Sequence, residues 1–312
     1  QAFWSKGATV CVANSMASSS AWHPQGLSTS HGLDEFRSDQ FDVAAFNDAL
    51  GAWCEPFQLR CSPPFLVGWY NDKRKDMAAG SQLINEPDQA VGFALYSVRG
   101  FLEVALDRFR QAKPEKDYVD GTTNDILGML RGLLHESLDT VTINSDLGPP
   151  YYHVQTIGCI AGVDQHVEAG DIEGPDVDEW REDLCETLAE TRDPKLWGTD
   201  PEMRRKIFGV NVHPELGGWY AYRALVVLRG AQAPDLPRPV ELNFLEPSQA
   251  RRILTEYNLK HDECHWRDLQ ESGHLAQNRY APDEYFYFTE RSPAKRKRFL
   301  EMRAAELEAQ GR

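Results

Sequence analysis

The chain has 312 residues, with 33 Lys and Arg against 48 Asp and Glu, for a formal net charge of −15. That balance argues against nucleic acid or an anionic membrane surface as the main partner, and no apolar run approaches the length needed to cross a bilayer. Apolar content of 41 % with 11 % aromatics is that of a soluble globular protein able to bury a sizeable core, in one large domain or two. Six cysteines (Cys11, Cys54, Cys61, Cys159, Cys185 and Cys264) lack CxxC metal spacing and are sparse for a disulfide scaffold, so reduced thiols in a cytoplasmic protein are expected.

Residues 1–38 open with a stretch rich in Ser, Ala and Gly and predict a disordered N-terminal extension. Met16-Ala17-Ser18-Ser19-Ser20 reads as a translation start, which would make 1–15 upstream sequence. Residues 1–33 contain no arginine, which argues against an organelle transit peptide. From Asp39 onward Phe41, Ala44, Ala45, Ala49 and Trp53 share one helical face, closed by Cys54-Glu55-Pro56. Residues 57–70 cluster apolar side chains around Pro63-Pro64 and predict a hairpin or paired strands. Residues 91–96 and 141–144 are strand candidates, whereas 100–109 and 123–138 have helical spacing. Residues 152–167, apolar and free of proline, predict a buried helix of about four turns.

Gly174-Pro175 opens an acidic amphipathic helix (Asp178, Glu179, Glu182, Asp183, Glu186, Glu190) closed by Asp193-Pro194, so 174–206 is expected as a surface insertion. Between Gly209 and Arg223 two apolar extended runs flank a tight turn through His213-Pro214 and Gly217-Gly218, which predicts a hairpin. Pro214 cannot donate to a sheet and belongs to the turn. Residues 219–228 then read as a buried strand. Arg223 falls mid-strand, where an unpaired guanidinium is costly, and so calls for an anionic partner from the protein or from a ligand. Residues 233–239 are too proline-rich for regular structure, and the tail carries an aromatic run, Tyr285-Phe286-Tyr287-Phe288, and a basic helix over 293–308.

Generic motifs do not name an activity: GxSxG, a GxGxxG after a strand, a P-loop and HExxH are all absent. His261 and His265 stand four apart, but they fall short of a four-ligand set and His265-Trp266-Arg267-Asp268 is loop-like, so no metal site is expected. His213 is expected as a turn histidine donating to backbone, ahead of a general-base role. Cys159 is expected as an inert small hydrophobe, ahead of a nucleophile. For Arg223, Arg267 and Arg296 an internal carboxylate is the default partner; a small anionic ligand held by several of them is the sharper alternative, because the guanidinium fork suits carboxylates.

One set of blocks carries more. In order they are Pro64-Phe65-Leu66-Val67-Gly68-Trp69-Tyr70-Asn71, Gln155-Thr156 with Ala161-Gly162, Trp197-Gly198, and Gly209 with His213-Pro214, Gly217-Gly218-Trp219 and Arg223. Val226-Val227-Leu228, Pro234-Asp235-Leu236-Pro237, His265-Trp266-Arg267-Asp268, Arg279-Tyr280 and Tyr287-Phe288 follow. Across roughly 41–302 the sequence resembles the cobalamin-processing family of the cblC type of methylmalonic aciduria with homocystinuria.

The resemblance implies an α+β fold, a flavin nitroreductase-like antiparallel sheet flanked by helices with a C-terminal cap. It divides the chain into 39–255, a cobalamin-binding module holding the 174–206 insertion, and 256–312, the cap and tail helix. It implies binding of base-off cobalamin, reductive removal of cyanide from cyanocobalamin with FMN or FAD and NADPH as the electron source, and transfer of alkyl groups from alkylcobalamins to glutathione. It further implies hand-over of cob(II)alamin to a downstream trafficking protein, by a monomer or a ligand-induced homodimer. By position the corrin contacts fall on Asn144, Tyr152, His153, Val154, Gln155, His166, Val167, Glu168, Asn211 and Tyr222, with Gln155 an identity. Arg223 and Arg296 fall on two glutathione-binding arginines; the third has no counterpart, where Leu269-Gln270-Glu271-Ser272 runs one residue short. Cys159 stands where the family can carry histidine. A cobalamin carrier without glutathione chemistry is the alternative function.

Overall fold

The computed structural model describes residues 32–75, 82–112, 118–144, 152–270, 276–290 and 292–310. Seven strands organise it: β1 (Leu59–Cys61), β2 (Phe65–Leu66), β3 (Ala90–Ser97), β4 (Thr140–Asn144), β5 (Gln165–Val167), β6 (Val210–Val212) and β7 (Ala221–Gln232). β3 and β7 pair at the centre of a five-stranded antiparallel sheet; β4 lines the far edge of β7, and β1 and β2 lie in succession along the other edge of β3. β5 and β6 form a separate antiparallel ribbon. Every residue of β3 is buried, as its unbroken run of apolar and small side chains requires when both faces are covered.

The helices are α1 (Val43–Cys54), α2 (Val67–Lys75), α3 (Phe101–Ala112), α4 (Tyr118–Leu133), α5 (Val154–Ile160), α6 (Val177–Thr191), α7 (Pro194–Trp197), α8 (Pro201–Arg205), α9 (Pro247–Leu259), α10 (Pro282–Thr289) and α11 (Pro293–Ala309). Strand alternation sorts the core. Val91, Phe93, Leu95, Ala224, Val226 and Leu228 face α1, α3 and α4 in one hydrophobic layer. Ala94, Tyr96, Leu225 and Val227 face α2 and α5 in a second. A third core joins the β5–β6 ribbon to α6 and α9. No helix among the described residues is long and apolar enough to cross a membrane.

The helices over 43–54, 101–112 and 293–309 and the strands over 90–97 and 140–144 match the sequence expectation closely. Elsewhere the structure corrects it. Order begins before residue 39: Leu33 is fully buried and the Phe36 ring meets Phe46 edge-on at 5.2 Å. Residues 1–31, with Met16, lie outside the described residues. Of the hairpin or paired strands expected over 57–70, two short strands form but not as a hairpin, because β1 and β2 each pair with β3 and the chain turns helical at Val67. The helix expected over 123–138 starts at Tyr118 and stops at Leu133.

The four-turn helix expected over 152–167 is cut to Val154–Ile160. Gly162 takes φ +70°, the Val163 N–H donates to Gly158 O at 2.9 Å and the Gly162 N–H to Cys159 O at 3.0 Å. This is a Schellman close, which glycine permits and which turns the chain into β5.

The predicted hairpin at 209–228 is also redrawn. Its turn exists, as a bridge of His213 to Gly217, but β6 pairs with β5 and β7 with β3 and β4, so the two runs serve different sheets. The 174–206 segment is packed as well as acidic. α6 buries Val177, Leu184 and Leu188, and Trp180 Nε1 donates to Thr255 Oγ1 at 3.1 Å. Arg192 donates to the carbonyls of Arg204 and Lys206 at 2.9 and 2.6 Å while stacking 4.2 Å from the Trp197 ring centroid. The expected boundary at 255/256 falls inside α9.

Candidate functional site

The turn at 213–218 anchors the C-terminal segment. His213 is buried, and its Nδ1 accepts the backbone N–H groups of Glu215 and Leu216 at 3.0 and 3.2 Å. It therefore serves the turn, as the sequence suggests, but as an acceptor and not as the expected donor. Protonating Nδ1 would break both bonds, and burial holds the ring's pKa down at about 4. The Gly218 N–H donates to Arg267 O at 2.8 Å, and the Arg267 guanidinium returns a bond to Gly218 O. Arg267 stacks 4.5 Å from the Trp266 ring centroid, so it binds a carbonyl and aromatic rings where a carboxylate was the default. Asp268 instead takes the carboxylate role, accepting from Trp219 Nε1 at 2.8 Å and from Arg279 Nε at 2.8 Å. His261 and His265 lie on two successive 3-10 turns, 261–263 and 265–267, not on one helix.

A polar cluster occupies the second face of the sheet, where α5 crosses β7 and meets the ribbon. At its centre is Asp164, fully buried. Its Oδ2 accepts from Tyr220 Oη at 2.6 Å and from Tyr222 Oη; its Oδ1 accepts from Asn211 Nδ2 at 2.6 Å and Cys159 Sγ at 3.3 Å. Burial lifts the Asp164 carboxyl above its ordinary value, against four donors that favour the ionised form. Burial and then the nearby Asp164 push the Tyr220 and Tyr222 phenols well above theirs. The same two causes raise the Cys159 thiol, which fits the inert reading and not a nucleophile.

The cluster continues outward. Asn211 Nδ2 also donates to Gln155 O at 2.9 Å, so its Oδ1 is turned to His166 Nδ1 at 2.6 Å. His166 Nε2 stands 2.8 Å from Glu168 Oε1. Beside it, the His153 N–H donates to Tyr70 Oη at 3.1 Å, while His153 Nδ1 accepts from Thr156 N at 3.3 Å and caps α5.

Of the residues on which the resemblance places corrin contacts, Gln155, His166, Glu168, Asn211 and Tyr222 thus join one hydrogen-bonded chain. Tyr152, His153 and Val154 lie half-buried at the start of α5 next to it. Val167 points away, into the third core. Asn144 lies on the other face of the sheet, opposite Ala224, and donates to Asp120 O on α4 at 3.1 Å.

Arg223 is parted from Tyr222 by a bulge. Leu95 pairs with Ala224 but Tyr96 with Tyr222, which leaves Arg223 as the extra residue on β7. Tyr222 consequently joins the second layer, while Arg223 lies 5.2 Å from the ring centroids of both Phe101 and Phe288 with its Nε donating to Ser97 Oγ at 2.9 Å. Arg296 sits 5.7 Å from the Tyr287 centroid, and Tyr287 and Phe288 are 5.4 Å apart. The two expected glutathione arginines therefore flank one aromatic pair of α10, across the sheet from the polar cluster.

Sequence reasoning missed Asp164, Tyr220 and Gly158. An acid within a run read as wholly buried was the available signal, since a buried carboxyl must be met by donors. Gly158 had none: a Cβ there would overlap Tyr222 Oη and stand 2.5 Å from Asp164 Oδ2. Gly158→Ala is expected to cost about 1–3 kcal/mol by overpacking and to push the Tyr222 hydroxyl off Asp164. A urea titration measures the first, and wild-type stability in the variant would show that the two side chains do not meet at this helix.

A family model described as the methylmalonic aciduria and homocystinuria type C family matches residues 60–300. The Bos taurus cyanocobalamin reductase / alkylcobalamin dealkylase is 30 % identical over 237 residues, covering 72 % of this chain and 71 % of that protein. The Homo sapiens protein of the same name is 28 % identical over 235 residues, with 72 % and 71 % covered. The Gallus gallus protein is 25 % identical over 243 residues, with 76 % and 88 % covered. Among solved structures, that of a C. elegans B12-trafficking protein, CblC, has TM-score 0.62 at 17 % identity and covers 79 % of this chain and 90 % of its own; the likeness is one of fold, helices around an antiparallel sheet. With the blocks found in the sequence lying inside the matched span and the sheet shared with that structure, the chain belongs to the methylmalonic aciduria and homocystinuria type C family.

Proposed function

We propose that this chain is a cobalamin-processing enzyme, a cyanocobalamin reductase and alkylcobalamin dealkylase like the relatives it matches. The observation that supports it is the convergence of Gln155, His166, Glu168, Asn211 and Tyr222, from α5, the ribbon and β7, onto one partly exposed polar network. Cobalamin would bind across this face with its dimethylbenzimidazole off cobalt, in a nitroreductase-like fold whose C-terminal segment forms the cap. Loss of the lower ligand makes Co(III) easier to reduce and its upper carbon easier to attack. In decyanation reduced FMN or FAD, with NADPH as the electron source, would supply the one electron that the substrate's cobalt takes up as cyanide leaves with its bonding pair. In dealkylation a glutathione thiolate takes the alkyl carbon and cobalt keeps the pair. Here the protein supplies binding, ligand state and electrostatics. Cytoplasmic residence, hand-over to a trafficking protein of the cob(II)alamin that decyanation leaves, and ligand-induced dimerisation belong to the same reading.

The pairing of Arg223 and Arg296 around Tyr287 and Phe288 supports a site for the glutathione carboxylates. The bulge that turns Arg223 from the polar cluster favours the second reading, a cobalamin carrier without glutathione chemistry. Anaerobic incubation with cyanocobalamin or methylcobalamin, with reduced flavin or glutathione added, separates them. A base-off shift of the corrin bands and conversion of both forms is expected; no shift with protein in excess sinks the cobalamin reading. Survival of methylcobalamin in glutathione after a clear shift favours the carrier. Arg223→Ala is expected to weaken glutathione use more than corrin binding, by about 2 kcal/mol for one charged hydrogen bond. Equal loss of both would make Arg223 structural.

A further inference from the structure

The polar face depends on one carboxyl that touches none of its outer surface. The Schellman close at Gly162 turns the chain so that Asp164 points back beneath α5, against the bare backbone of Gly158. There it is the shared acceptor of four donors drawn from α5, β6 and the approach to and start of β7. These four donors, Cys159, Asn211, Tyr220 and Tyr222, are all neutral groups. The Tyr222 ring already stands edge-on to Tyr96 and Tyr220, at centroid distances of 5.9 and 5.5 Å. The bond to Asp164 acts on what ring packing does not set, the direction of its hydroxyl. On the other carboxyl oxygen, the bond from Asn211 Nδ2, together with its bond to Gln155 O, fixes which end of that amide faces His166.

We propose that Asp164 is the positioning residue of this face, setting the Tyr222 hydroxyl and, through the Asn211 amide, the His166 ring that a bound corrin meets. The inference rests on reading the face as the cobalamin site. An asparagine at 164 keeps the shape but offers one acceptor oxygen in place of two. The Asn211 NH2 group can only donate, whereas a phenol can also accept. Asp164→Asn should therefore keep Asn211 and reverse or release Tyr222.

The experiment uses the full chain and its Asp164→Asn, Tyr222→Phe and doubly substituted forms. Each is melted, then titrated with cyanocobalamin and methylcobalamin while the base-off absorption bands are followed. Each single change is expected to weaken cobalamin binding about tenfold, the scale of one hydrogen bond to a charged group. The double variant should be weaker than either single one by less than about twofold, because both act on one interaction. Tyr222→Phe takes one of four donors from the buried Asp164, so it should melt below the parent but still as a folded protein. Wild-type affinity in Asp164→Asn, or losses that multiply in the double variant, would overturn the inference. Should Asp164→Asn fail to fold, Tyr222→Phe decides alone, and wild-type affinity there overturns it. Absence of any base-off shift in the parent removes the cobalamin reading and this inference together, an outcome distinct from a shift that the variants share.

Discussion

Gly217→Ala is expected to lower the unfolding free energy by about 3 kcal/mol, combining a left-handed backbone penalty with overpacking. Gly217 has φ +59°, and a Cβ there would run into the Arg267 carbonyl oxygen. The same contact lets the Gly218 N–H reach Arg267 O at 2.8 Å and aligns Trp219 Nε1 with Asp268 Oδ1 at 2.8 Å. The turn and the 265–268 segment hold one another, so the damage should spread to the C-terminal segment. Denaturant titration followed by tryptophan fluorescence reads the loss, and limited proteolysis should cut the C-terminal segment faster. Gly128→Ala is the control. It sits exposed within α4 with nothing within 4 Å of an added Cβ, and is expected to stabilise by about 0.5–1 kcal/mol. A Gly217→Ala protein as stable as the parent would show that the turn does not hold the C-terminal segment.

Acidification from neutral pH to about 4 is expected to remove several kcal/mol of stability, with His153 and His213 as the main contributors. Burial holds both rings near a pKa of about 4, against an ordinary 6.5. Each uses Nδ1 to accept a backbone N–H and so must stay neutral there. The unfolded chain takes up protons near 6.5 while the folded chain refuses them until about 4. Their stabilisation is therefore complete above 6.5 and is lost as pH falls through that window, by at most about 3 kcal/mol for each ring. His213 lies nearer that limit, since it is 7 % exposed, whereas His153 is partly open. Asp164 and Glu284 act oppositely: burial raises both carboxyls, so their contribution is present in acid and lost as pH rises. His213→Asn offers an oxygen to the same two N–H groups without a titrating ring. It should flatten the stability profile between 6.5 and 4, and an unchanged slope would assign the acid transition to other groups.

The sequence by itself determined the elements whose pattern is local. Periodicity and capping located α1, α3 and α11, apolar runs located β3, β4 and β7, and Gly217-Gly218 located the turn at the heart of the molecule. The blocks that mark the family were legible for the same reason, being short and contiguous. Of the positions on which the resemblance places corrin contacts, those beside their neighbours on α5 or the ribbon come together in the polar cluster, as Gln155 and His166 do.

Only the tertiary structure decided which face each side chain meets. Alternation counted back from Leu228, Val226 and Ala224 puts Tyr222 in the first layer and Arg223 in the second. The single extra residue between the Leu95 and Tyr96 pairings exchanges them. Asn144 was separated from the site by its register against Ala224, and Asp164 was brought into it by the left-handed Gly162. Register and bulges are properties of a pair of strands, fixed by the layers packed on both sides, and no window along one strand contains them. A buried carboxyl likewise announces only that donors are needed. Which ones answer, here two tyrosines, an asparagine and a cysteine from separate segments, is settled when those segments fold against each other.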